Sequence, residues 1–124
     1  MDPDFRQLDD RERGLIDKLL ETDFLGRDEL ISQLASVTAK QIHEDGTLTL
    51  RCGSGLPSPS KYRLVAEAWC KDADGMTISI MLHISKDRFM CMLEIYKYDQ
   101  SEVINAPRSS DLVLLPPEDG EIKT

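Results

Sequence analysis

The chain lacks a long apolar run, has only two histidines, and carries too few basic residues to balance its acidic ones. Each shortage excludes something. No stretch approaches the roughly 18 apolar residues of a membrane helix. Fifteen Lys and Arg stand against 23 Asp and Glu, for a net charge of −8. The basic residues are scattered, whereas nucleic-acid phosphate is bound by clustered ones. The same charge attracts a basic protein partner and steers its approach. Three cysteines, Cys52, Cys70 and Cys91, are odd in number and widely spaced. They read as buried, reduced thiols. The opening stretch MDPDFRQLDDRERG is polar and acidic. No secretory signal is read in it, and a cytoplasmic location is expected.

Site chemistry is equally sparse. Zinc would need the cysteines to converge with a histidine. By alternation all three fall on core-facing positions, while His83 points the other way, so no metal site is expected. DADG, residues 72–75, lacks the late Glu of a calcium loop. Gly53 and Gly55 lack the lysine and helix start of a phosphate loop. The pairs Asp9–Asp10, Glu44–Asp45 and Asp72–Asp74 sit where caps and turns use carboxylates to accept backbone amides. No catalytic residue and no cofactor are expected.

What the chain does have is pattern. Its 124 residues suffice for a single domain with one core. Leu15, Ile16, Leu19 and Leu20 mark one face of a helix, with Asp9 as N-cap and Glu12 completing a capping box. A second helix has Asp28 and Glu29 in its first turn and Leu30, Ile31 and Leu34 on one side. Val37 and Thr38 mark its end. Thereafter the chain reads as strands. TAKQIHEDGTLTL is a hairpin, and a three-residue Glu44–Gly46 loop would oppose Ile42 to Leu48. YRLVAEAWCK and MTISIMLHIS form a second, through an Ala73–Gly75 loop that pairs Cys70 with Ile78, Ala68 with Ile80 and Ala66 with Leu82. A third turns at Ser85–Arg88, so that Ile78, Ile80, Leu82 and Ile84 oppose Ile95, Leu93, Cys91 and Phe89. LVLLPP is a short edge strand or strap. GSGLPSPS, residues 53–60, is a connector, and the end of the chain is a tail.

The expected fold is therefore α+β: two N-terminal helices, at about 9–37, on one face of a mostly antiparallel meander of five to six strands. The sheet spans about 38–115 and the tail is 116–124. The opposite face collects Val65, Glu67, Trp69, Met81, His83, Met90, Met92, Glu94 and Tyr96. That is an apolar centre with a charged rim, the make-up of a protein-binding surface. Two helices cannot roof both faces. The N-terminal segment, the 53–60 loop or the tail could fold over the second one. Otherwise it binds another molecule. A second copy of the chain, or a small ligand or hydrolysed substrate held near His83, Glu67 and Glu94, are the alternatives to a foreign protein.

FLGRDELISQL, IHEDGTLTL, DADGMTISIMLHI and LEIYKYD together resemble a family of small acidic bacterial domains of unassigned function, over roughly residues 6–115. Phe24–Leu30 and Leu93–Tyr96 are the most specific stretches. The family brings no catalytic residues. In size, charge and architecture it is similar to immunity proteins, which neutralise secreted bacterial toxins. The resemblance implies a non-enzymatic protein that binds a basic toxin domain. Within the first stretch, Gly26 permits a chain reversal and Asp28 starts the second helix.

Overall fold

The computed structural model describes residues 4–52 and 62–116. Expectations for the 53–60 loop and for the tail beyond Pro116 fall outside these residues.

Among the described residues, seven strands form one sheet, antiparallel throughout. In chain order the elements are β1 (Arg6–Gln7), α1 (Asp10–Leu19), α2 (Arg27–Gln33), β2 (Val37–Gln41), β3 (Leu48–Cys52), β4 (Tyr62–Lys71), β5 (Thr77–Ser85), β6 (Met90–Lys97), a 3-10 turn (Ser109–Asp111) and β7 (Val113–Leu114). The spatial order is β1-β2-β3-β6-β5-β4-β7. The fold is thus α+β with an antiparallel sheet. The strand count exceeds the expected five or six. β1 precedes both helices, where no strand was foreseen. The β2–β3 hairpin joins the β4–β5–β6 meander through β3 and β6 instead of continuing it. β7 is the short edge strand anticipated in LVLLPP.

α1 forms as its sequence directs. The Asp9 carboxylate accepts the Glu12 amide at 2.7 Å, and Glu12 Oε1 accepts the Asp9 amide at 2.9 Å. Leu15, Ile16, Leu19 and Leu20 are buried against the sheet. Each such side chain contributes about 1.5–3 kcal/mol of transfer free energy. Glu12 is itself buried and is held by both guanidinium nitrogens of Arg6, at 2.7 and 2.8 Å, which tethers β1 to the helix. Asp9→Ala removes the cap and is expected to cost about 1 kcal/mol in a urea melt.

α2 differs in detail. Leu30 is buried, Leu34 is partly buried, and Ile31 is exposed. Val37 belongs to β2 rather than to the helix end.

Three registers decide which side chains face the helices. In β2–β3, Gln41 opposes Leu48 and Ala39 opposes Leu50. Ile42 bonds to Thr47 across a four-residue turn, His43–Gly46, and is exposed on the other face. The expected Ile42–Leu48 pairing is off by one residue. Gly46 takes the left-handed conformation that the turn needs, φ 102°. The β4–β5 pairing is as expected from Cys70–Ile78 to Ala66–Leu82. A bulge then displaces Val65, and Leu64 opposes His83. In β5–β6, Ile80 opposes Ile95 and Leu82 opposes Leu93. This is two residues away from the expected register.

The shift has a local cause. The turn is Lys86–Arg88, with Ser85 bonding to Phe89 and Arg88 left-handed at φ 68°. A three-residue loop closing on a left-handed residue is a favoured hairpin form. It places Phe89 outward, at 44% exposure. An irregularity between His83 and Ile84 absorbs Cys91, so that Met90 opposes Ile84 and is fully buried.

Candidate functional site

The new β5–β6 register carries Lys97 to a position opposite Ile78 and buries it. An ammonium there requires partners. Its Nζ donates to Asp72 Oδ2 and Asp74 Oδ2, both at 2.8 Å, and to the Glu102 carbonyl at 2.9 Å. Asp72, also buried, accepts the amides of Ala73, Ile104 and Asn105 at 2.8–2.9 Å. Burial pushes the Asp72 carboxyl up, yet these hydrogen bonds outweigh it and hold the group well below the usual carboxylate range. The cluster pins the 102–105 segment to the β4–β5 turn. It is a structural centre, since each of these charges is spent on its neighbours.

The opposite face is different. Cross-strand partners lie about 4.8 Å apart and share a face. One row runs Trp69–Ser79–Tyr96, the next Glu67–Met81–Glu94, and a third Leu64–His83–Met92–Thr49. Glu67, Trp69, Met81, Met92 and Glu94 are half-buried, His83 is buried, and Tyr96 is 38% exposed. Seven of the nine expected residues therefore stand together. Val65 and Met90 do not. The two irregularities turn both into the core, at 5% and 0% exposure. Val113 on β7 extends the Trp69 row and is exposed, an addition that the sequence did not signal.

Polar groups on this face are tied sideways. Ser79 Oγ donates to Glu67 Oε2 at 2.8 Å. His83 Nε2 meets Glu94 Oε1 at 2.9 Å, and the Tyr62 ring stands edge-on to His83, centroids 5.0 Å apart. His83 Nδ1 is buried with no hydrogen-bond partner among the described residues. Lys71 Nζ sits 5.8 Å from the Trp69 ring centroid. At the far edge, Arg51 stacks on Phe5 at 4.2 Å.

The thiols offer no nucleophile. Burial pushes Cys52 and Cys91 up to about 11, and Cys70 is raised by the same cause. Among the described residues, no group of three or more His, Cys, Asp or Glu is placed to hold a metal ion, and no helix is long and apolar enough to cross a membrane.

The geometry defines an α+β domain with one helix-covered face and, on the other, a cluster of aromatic, methionine and carboxylate side chains. Residues 5–107 match the model of a domain of unknown function, DUF6984, and the chain belongs to that family. No curated protein and no solved structure matches the chain.

Proposed function

We propose that the protein is a non-enzymatic binding module whose outer sheet face engages a basic protein, most concretely as an immunity protein that neutralises a cognate bacterial toxin. One observation carries this reading. Trp69, Met81, Met92 and Tyr96 gather on the face opposite the core cluster that holds Leu15, Ile16 and Leu19 of α1, and each keeps part of its surface exposed. Large aromatic side chains and methionine are the residues that anchor protein interfaces. Glu67 and Glu94 frame them, and the net charge of −8 favours a cationic partner.

The test is isolation of the partner from native cytoplasm, with its charge and salt response measured. A basic protein is expected, with an association rate that falls as ionic strength rises. Recovery of no partner at any ionic strength, or of one indifferent to changes on this face, would remove the proposal. A homodimer through the same face would instead give self-association in sedimentation at low concentration.

A second reading has its own support. The buried Nδ1 of His83, without a hydrogen-bond partner among the described residues, leaves a lone pair or a proton unused beside a carboxylate-bound imidazole. A small ligand or a hydrolysed substrate held there would engage it. The reading requires the His83 ring signals to move when that ligand is added. A His83→Asn protein that matches the parent in every ligand screen excludes it.

A further inference from the structure

Resting on the proposed protein-binding role, we infer that the two rows Trp69–Ser79–Tyr96 and Glu67–Met81–Glu94 seat an arginine side chain of the partner. The two rows form a small grid, about 10 Å across three strands and about 7 Å along them. Its two outer strands match in kind, each giving an aromatic ring and a carboxylate, so that the rings share one row and the carboxylates the other. The middle strand contributes the short Ser79 and the flexible Met81.

Both carboxylates are half-used. Glu67 Oε2 accepts the Ser79 hydroxyl, and Glu94 Oε1 meets His83. Glu67 Oε1 and Glu94 Oε2 have no hydrogen-bond partner among the described residues, and no lysine or arginine among them pairs with either group. A carboxylate oxygen stands on either side of the methionine, and a guanidinium can bond one of them through its planar fork while its face lies against the aromatic ring of the same strand. An ammonium is a point charge with no face to stack. The ring of Trp69 already draws one cation, the Lys71 ammonium. Beyond Tyr96, a cleft of about 230 Å³ opens, with His43, Asp45 and Gln100 on its walls. Gln100 Nε2 donates to Tyr96 Oη at 3.3 Å.

Trp69 is the only tryptophan in the chain, so its indole signal reports on the seat alone. The full chain is titrated with acetyl-arginine methylamide, and in parallel with the citrulline and lysine analogues. A saturable shift of the Trp69 indole NMR signal is expected from arginine, a weaker one from lysine, and none from citrulline, which keeps the shape and loses the charge. Glu67→Gln with Glu94→Gln should weaken the arginine response at least tenfold. Tyr96→Leu, at an exposed position, should weaken it without touching either carboxylate. Equal responses to arginine and citrulline, or an arginine response untouched by these changes, would overturn the seat. A partner that binds through Met92 while arginine methylamide gives no shift leaves the binding role standing and removes the seat alone. The converse result removes the role and keeps the seat.

Discussion

Lys97→Met is expected to lower the melting temperature by roughly 10 to 20 °C, the largest loss from any single polar side chain here. Methionine matches the length of the lysine stem and fills the same space opposite Ile78. What it removes is the charge that neutralises Asp72. Asp72 then keeps its three amide donors but remains a buried carboxylate without a cation. Breaking one side of a buried pair costs far more than the pair contributes over an apolar substitute, because the partner is stranded. A melt measured by circular dichroism checks this. A drop of only a few degrees would mean that water reaches Asp72.

The same cluster sets a pH dependence whose sign follows from its members. Asp72 and Asp74 have folded-state values held below their unfolded ones. For Asp72, hydrogen bonds overcome the upward push of burial; for Asp74, the bond from Lys97 is the largest cause. Their contribution is present above the unfolded aspartate value, about 3.9, and is lost as pH falls through the lower folded ones. Lys97 runs the other way. Burial pulls its value down, but the bonds to Asp72 and Asp74 outweigh this and raise it. Its contribution is present below the unfolded lysine value, about 10.4, and is lost as pH rises through the higher folded one. Stability should be flat with respect to this cluster between roughly pH 5 and 10. The Lys97→Met protein should show a weaker fall on the alkaline side.

Met92→Asp is expected to reduce partner affinity at least about 100-fold while leaving the fold in place. Met92 lies half-buried between His83 and Thr49 at the centre of the outer face. An aspartate there must be desolvated on docking, which costs binding free energy but costs little in the free protein. Met81→Asp should have the same effect on binding with a small penalty in stability. It would stand between Glu67 and Glu94, and like charges directly across strands cost up to about 1 kcal/mol each. Met90 is the control. It is fully buried, and Met90→Asp should unfold the protein. Titration calorimetry with the isolated partner separates loss of binding from loss of fold.

Much of this arrangement was legible from alternation, and its failures are instructive. α1 and its capping box follow from Asp9, Glu12 and four leucine or isoleucine positions. The β4–β5 hairpin follows from Asp-Gly chemistry, since Gly75 allows only a few loop lengths. The turn at Lys86–Arg88 contains no glycine, so nothing in its composition announced a left-handed residue. The turn is one residue shorter than expected and the bulge at Cys91 adds a second residue, so the β6 pairing beyond the bulge moves by two. The bulges at Val65 and Cys91 leave no mark in composition either, yet they decide that Val65 and Met90 are core. The Lys97 cluster did have a signal. Leu93, Ile95 and Lys97 share a parity, and an acidic turn at Asp72–Asp74 closes the neighbouring hairpin. A lysine on the core parity of a strand calls for such a carboxylate. Met92, Glu94 and Tyr96 kept the outer face because a shift of two residues on β6 preserves it, while Glu67, Trp69, Met81 and His83 lie on β4 and β5, outside that shift.

Whether the outer face is open to another molecule is measured most directly through its methionines. With methyl-labelled methionine, a soluble paramagnetic probe should broaden the NMR signals of Met81 and Met92 strongly and leave that of Met90 sharp. Met81 and Met92 protected to the same degree as Met90 would show a face that the protein has already closed, and would contradict the binding role proposed for it.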